Sequence, residues 1–211
     1  MKVLSPFGPK IASLKLSGGS IRKINVEVDK IISKKNLLKK LDYSNNLVGQ
    51  VRQEFQLPKI FIKKNLEKIL YKAVKDYIFK SLGKNISKIK IKNFWIVRQF
   101  NDEYNPVHFH DGHISGVGYL KLPKTFGETF QKNKKENYNG KLQLVHGSRM
   151  FLSPINLNIQ PELGDFYFFP NYLMHCVYPF LNSNEERRSI SFNAHIDNDI
   201  YNVHGSSLDE K

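Results

Sequence analysis

The sequence holds one cysteine, Cys176, among 211 residues, which excludes an internal disulfide and a cysteine-built zinc site. No apolar run approaches the ~18 residues that a membrane-spanning helix needs. Phosphate-binding glycine loops of the Walker or dinucleotide type are missing, as is the Gly-x-Ser-x-Gly elbow of serine hydrolases, so the commonest nucleotide and acyl-transfer chemistries have no foothold. The N-terminal stretch Met1–Pro9 lacks the apolar core of a secretory signal, and with a single thiol the expected compartment is a reducing cytoplasm. Acidic residues are scarce beside basic ones, 19 against 33, for a formal charge of +14. That balance favours attraction to an anionic partner, but the lysines are scattered along the chain, as on an ordinary solvated surface. At 40% hydrophobic and 12% aromatic residues the chain is long and apolar enough to bury a core as one domain.

What the chain does have is histidine, unevenly placed. Three of its seven histidines fall within six residues, in Asn105-Pro106-Val107-His108-Phe109-His110-Asp111-Gly112-His113. On an extended segment residues two apart share a face, so His108 and His110 would present two imidazoles to one metal ion while Phe109 faces away. A third ligand must come from elsewhere. The best placed is His175, which follows the turn Gly164-Asp165, an aromatic run Phe166–Phe169 and Pro170.

Along the chain, Leu14 and Leu16 alternate ahead of Gly18-Gly19, the pattern of an edge strand and turn. Apolar positions from Val26 to Leu41 fit one or two short helices broken near Lys35-Asn36, and residues 42–58 read as a loop with a helical fragment. A stripe from Leu66 through Ile69, Leu70, Ala73, Val74, Tyr77 and Ile78 to Leu82 predicts a helix, stopped by Gly83. The period then changes from helix to strand, with Ile89, Ile91, Asn93, Trp95 and Val97 alternating against Lys88, Lys90, Lys92, Phe94 and Ile96. Further strands are expected at 114–122, 142–145, 165–169, 176–178 and 189–196, and the lysine-rich insert 123–139 as a loop or lid. Helices first and short strands afterwards point to an α+β domain on a β-sandwich or small barrel.

Three segments follow in order: Asn105-Pro106-x-His108-x-His110 leading into Ser115-Gly116-Val117-Gly118-Tyr119-Leu120, then Gly164-Asp165 and Phe169-Pro170 ahead of His175, and finally Arg187-x-Ser189-Ile190-Ser191-Phe192-Asn193. In this order and spacing they resemble the 2-oxoglutarate- and Fe(II)-dependent oxygenases, and among them the prolyl-4-hydroxylase-like proteins of bacteria and bacteriophages. The resemblance implies an α+β fold with a double-stranded β-helix (jelly-roll) core over residues 87–200, a mainly helical part over 1–86 packed on one sheet, and a single domain over 1–211. It also implies a cytoplasmic enzyme, in the host cytoplasm if phage-encoded, that uses Fe(II), 2-oxoglutarate and O₂. The family's usual ligands are His-x-Asp/Glu with a distal His. Here His110 stands where the acid belongs, so the implied metal set is His108, His110 and His175; loss of iron, or a bulge bringing in Asp111 or His113, are the alternatives.

The resemblance further implies oxidative decarboxylation of 2-oxoglutarate to succinate coupled to hydroxylation of a C–H bond, with an arginine fork holding the distal carboxylate of the cosubstrate. Arg187, twelve residues after His175, stands at the family's position for that arginine. Strand parity groups it with Ser189, Ser191 and Asn193 on a polar face, and groups Arg188 with Ile190 and Phe192 on an apolar one. Tyr119 is either a donor to the same carboxylate or a core tyrosine, and Asn193 shares the polar face. The expected substrate is a protein or peptide side chain; alternatives are an oxygenase acting on nucleic acid and a jelly-roll binding protein without turnover.

Overall fold

The computed structural model describes residues 1–4, 8–181 and 183–205. Two antiparallel sheets face one another, and helices cover the larger one. The large sheet has the order β1 (Lys2–Leu4), β2 (Ile11–Lys15), β9 (Asp165–Pro170), β6 (Ile114–Lys121), β11 (Arg187–Ile196), β4 (Ile89–Gln99) and β3 (Gln53–Gln56). The small sheet runs β5 (Asn105–His108), β10 (Met174–Val177), β7 (Leu142–Val145) and β8 (Asn156–Ile159). The helices are α1 (Gly18–Ile32), α2 (Lys35–Leu41), α3 (Lys59–Asn65), α4 (Glu67–Leu82) and α5 (Asn198–Gly205). None of the described helices is long and apolar enough to cross a membrane.

Helix α4 follows the apolar stripe read from the sequence, and Gly83 closes it at φ 70°, a left-handed position that costs other residues steric strain. Gly18-Gly19 does not form the expected turn. It opens α1, where the Ser17 hydroxyl accepts the Ser20 backbone N–H at 3.1 Å as an N-cap. Nor is β2 an edge strand, since β1 pairs along its outer side; three residues of β1 are too few to show a period. The loop expected over 42–58 contains β3.

Ile24, Val28 and Ile31 of α1 and Leu70, Val74 and Ile78 of α4 pack against Phe94, Ile96, Phe166, Ile190 and Phe192 of the large sheet. Each such side chain contributes about 1.5–3 kcal/mol on burial. Ile11 and Phe169 from the large sheet meet Leu142, Leu144 and Val177 of the small one in a second core between the sheets. The remaining space between the sheets is a cavity.

Strand β4 departs from its sequence pattern. Opposite β11 the register steps from Asn193↔Asn93 to Ala194↔Ile91, so Lys92 bulges out of the ladder. The bulge reverses the parity: Ile89 and Ile91 pack toward the helices, whereas Asn93, Trp95 and Val97 line the cavity.

Candidate active site

The cavity between the sheets is about 430 Å³. At one side β5 pairs with β10 so that His108 lies directly opposite His175. The extended run does not continue to His110 as the i,i+2 argument required, because β5 ends at His108. A loop contact does the work instead: the His110 N–H donates to the Asn171 carbonyl at 3.0 Å, and the Asn171 amide donates back to the His110 carbonyl at 3.3 Å.

The ligand atoms of His108, His110 and His175 lie within 4.8 Å of one another. Nδ1–H of His108 donates to the Pro106 carbonyl at 2.7 Å, and Nδ1–H of His175 to the Leu173 carbonyl at 2.8 Å. A carbonyl only accepts, so both rings carry their proton on Nδ1 and turn the Nε2 lone pair toward the cluster. Nε2 of His110 lies 2.9 Å from Nε2 of His175, and its ring stacks on Trp95 at 5.6 Å. Burial lowers the His108 pKa, drives His110 down to about 3 and holds His175 well below the imidazole range. Three converging neutral imidazoles are the donor set a divalent transition metal takes.

The neighbouring candidates point elsewhere. The side chain of Asp111 is 73% exposed, ion-paired with Lys92, and accepts the Gly112 N–H. Nδ1 of His113 accepts the Ile196 N–H at 3.1 Å, and its ring stacks on Tyr201 at 3.8 Å.

Across the cavity, β11 presents Arg187, Ser189, Ser191 and Asn193. Arg187 is 1% exposed. Its Nη1 donates to Gln99 Oε1 at 2.9 Å and its guanidinium lies 5.0 Å from the centre of the Tyr119 ring. Nε and Nη2 of Arg187, and the Tyr119 hydroxyl, have no hydrogen-bond partner, and among the described residues no carboxylate pairs with this guanidinium. A buried cation costs several kcal/mol unless an anion compensates it. Burial also raises the Tyr119 pKa, which keeps its phenol protonated and able to donate. Asn193 accepts from the Ser115 hydroxyl at 3.0 Å, so its amide carbonyl is committed to the wall.

Arg188 looks the other way. It pairs with Glu186 at 2.7 Å, with Asp29 of α1 at 2.7 Å, and donates to Asn25 at 3.0 Å.

The cavity also holds side chains that the sequence reading passed over. Trp95 bridges the histidines and Tyr43, and Glu54 of β3 forms part of the wall. The signal for Trp95 was present in the β4 alternation; the four residues of β3 inside an apparent loop offered almost none.

Residues 93–193 match the model of a family described as "Putative 2OG-Fe(II) oxygenase". No curated protein matches the chain. Among solved structures, it is similar to a prolyl-4-hydroxylase from Pseudomonas putida, with 14% identity, TM-score 0.56, and 87% of this chain and 91% of the other covered. It is similar to a viral collagen prolyl hydroxylase from Paramecium bursaria Chlorella virus-1 in complex with 2OG, with 15% identity, TM-score 0.53, and 87% and 94% covered. A third is a Trichoplax adhaerens prolyl hydroxylase in complex with a peptide fragment of the hypoxia inducible factor oxygen degradation domain, with 13% identity, TM-score 0.56, and 93% and 87% covered. At these identities the structures speak for the fold. The bacteriophage affinity read from the sequence finds no support among them.

Proposed function

We propose, from the match of residues 93–193 to the 2OG-Fe(II) oxygenase family model, that the protein is an Fe(II)- and 2-oxoglutarate-dependent dioxygenase that hydroxylates a C–H bond of a protein or peptide side chain, in the manner of prolyl hydroxylases. In this reading residues 1–211 are one domain, and the two sheets are the halves of a double-stranded β-helix. The observation that carries it is the buried, anion-less Arg187 on the wall opposite three converging imidazoles.

His108, His110 and His175 would hold the metal, which supplies oxidative decarboxylation of 2-oxoglutarate and oxygen activation when bound. Arg187 would take the distal carboxylate of the cosubstrate through Nε and Nη2, the atoms left without partners, in a fork geometry that suits a carboxylate. The Tyr119 phenol and the Ser189 hydroxyl would donate to the same carboxylate, a reading supported by their pairing across β6 and β11. Gln99 sets the height of the guanidinium by accepting from Nη1, and is itself held by donating to the carbonyls of Glu103 and Tyr178. Phe169 and Leu142 keep this end of the cavity apolar, which strengthens each charged contact made there.

The reading is tested by supplying Fe(II) and 2-oxoglutarate without oxygen, measuring their binding, and then admitting O₂ and quantifying succinate. Release of succinate requires no knowledge of the substrate, because these sites turn over slowly uncoupled. Absence of both iron uptake and succinate would leave a binding protein on an oxygenase fold.

A further inference from the structure

Glu54 is as buried as any acid in the described residues, 4% exposed, and it borders the cavity. Strand register puts it there: Glu54 pairs with Val97, and Val97 with Ser189, so all three lie in one row across the face that carries the Arg187 wall. Its neighbour Phe55 points the other way and is 0% exposed in the helix-side core. The Glu54 carboxylate makes no hydrogen bond and no ion pair to any described side chain. Glu186, 5% exposed, is by contrast held by both Arg98 and Arg188. Burial, and after it the like charge of Asp42, makes the ionisation of Glu54 harder.

The surroundings of Glu54 suit a positive charge. A Cβ on Gly49 would come within 2.5 Å of Glu54 Oε1 and of Asn105 Oδ1, so the backbone at Gly49 lies directly against two acceptor oxygens. Tyr43 and Trp95 stand beside it with ring centres 6.2 Å apart, and Trp95 in turn stacks on His110. Aromatic faces next to a buried carboxylate are the elements of an organic-cation site.

We propose that Glu54 is the substrate-recognition carboxylate of this cavity, and that the substrate presents an ammonium or guanidinium group to it beside Tyr43 and Trp95. That the ligand is the substrate rests on the oxygenase reading; the cation site itself does not.

Trp95 is the only tryptophan of the chain, so its fluorescence reports on this site directly. Full-length protein, with and without Fe(II) and 2-oxoglutarate under anaerobic conditions, is titrated with acetylated and amidated Gly-Lys-Gly, Gly-Arg-Gly and an uncharged norleucine analogue. A charged hydrogen-bonded contact corresponds to roughly a tenfold or greater preference for a cationic peptide over the norleucine peptide. Glu54→Gln should bring that ratio below about twofold, and Glu54→Asp, which keeps the charge, should retain part of it. A ratio near one in the wild type, or a preference that survives Glu54→Gln, overturns the proposal. Calorimetry of 2-oxoglutarate on the wild type separates the two readings. Binding of 2-oxoglutarate without cation preference sinks the cation site alone; cation preference without 2-oxoglutarate binding sinks the oxygenase and leaves the site.

Discussion

Two adjacent arginines on one strand should fail in opposite ways. Arg187 is buried with a single protein partner, Gln99, and two unpartnered nitrogens, so replacing it with Met removes a charge that the folded chain leaves uncompensated. Such a replacement of a buried charge by an apolar side chain of similar length is expected to change stability by less than about 1 kcal/mol, or to raise it. The loss should fall on the ligand. Contacts to a charged group are worth about 1.5–3 kcal/mol, which corresponds to a weakening of 2-oxoglutarate by roughly ten- to a hundredfold or more. Arg188→Met breaks the pairs with Glu186 and Asp29. Glu186 keeps Arg98 at 2.7 Å, and the Asp29 side chain is 65% exposed, so the cost should lie below the 3–5 kcal/mol of a fully orphaned buried ion, at about 2–3 kcal/mol. Its effect on 2-oxoglutarate should stay under about threefold, since the side chain faces α1. Urea unfolding and anaerobic calorimetry of the Fe(II)-loaded protein measure the two quantities. Comparable ligand losses in both variants, or a larger one for Arg188→Met, would show that β11 is out of register and would refute the reasoning.

The metal ligands are separable from their neighbours: His110→Ala should abolish binding of one divalent ion per chain, whereas Asp111→Ala should retain it within about threefold, since Asp111 is solvent-facing and paired with Lys92. Metal content after gel filtration decides it, and the opposite pattern rules out the three-histidine site. Glu54 makes stability depend on pH. Burial raises its pKa to about 7, so the folded chain holds this proton more tightly than the unfolded one. The stabilisation this confers is complete below the unfolded pKa of about 4.5 and is lost as the pH rises through about 7, at most about 3–4 kcal/mol. Glu54→Gln should therefore gain on the wild type between pH 5 and pH 8 in denaturant titrations, and a difference that does not change with pH would remove the argument.

The parts of this molecule that can be read from the sequence are those in which one local rule runs without interruption. On β11, Arg187, Ser189, Ser191 and Asn193 alternate with Arg188, Ile190 and Phe192 over a strand buried on both faces, so parity alone separates a polar wall from an apolar one. Helix α4 is legible for the same reason, since stripe and stop signal agree. Where a single residue breaks the period, the same reasoning misleads. The bulge at Lys92 turns Ile89 and Ile91 onto the opposite face from Trp95 and Val97, although all four share a parity in the sequence. His110 reaches the cluster without the strand that was to carry it, through two hydrogen bonds to Asn171, a partner 61 residues away.

Glu54 was hidden for a different reason, and that reason bears on its role. Strands as short as β3, four residues inside a polar stretch, acquire their identity from the neighbour they pair with, and β4 lies more than thirty residues downstream. An acid in such a stretch reads as solvent-facing, because nothing local supplies a reason to bury it. Pairing with β4 buries Glu54 all the same, beside Asp42 and without a cation, in a chain that carries 33 lysines and arginines. Packing accounts for the position of the backbone but not for the choice of a carboxylate. Glutamine would fill the same volume and avoid the cost of ionisation, so the charge has to be accounted for by what enters the cavity. Arg187, on the same sheet, stands in the same position with the opposite sign. One cavity thus holds a buried guanidinium and a buried carboxyl group that do not meet each other, the arrangement expected of a site in which an anionic ligand meets the first and a cationic ligand draws the proton off the second.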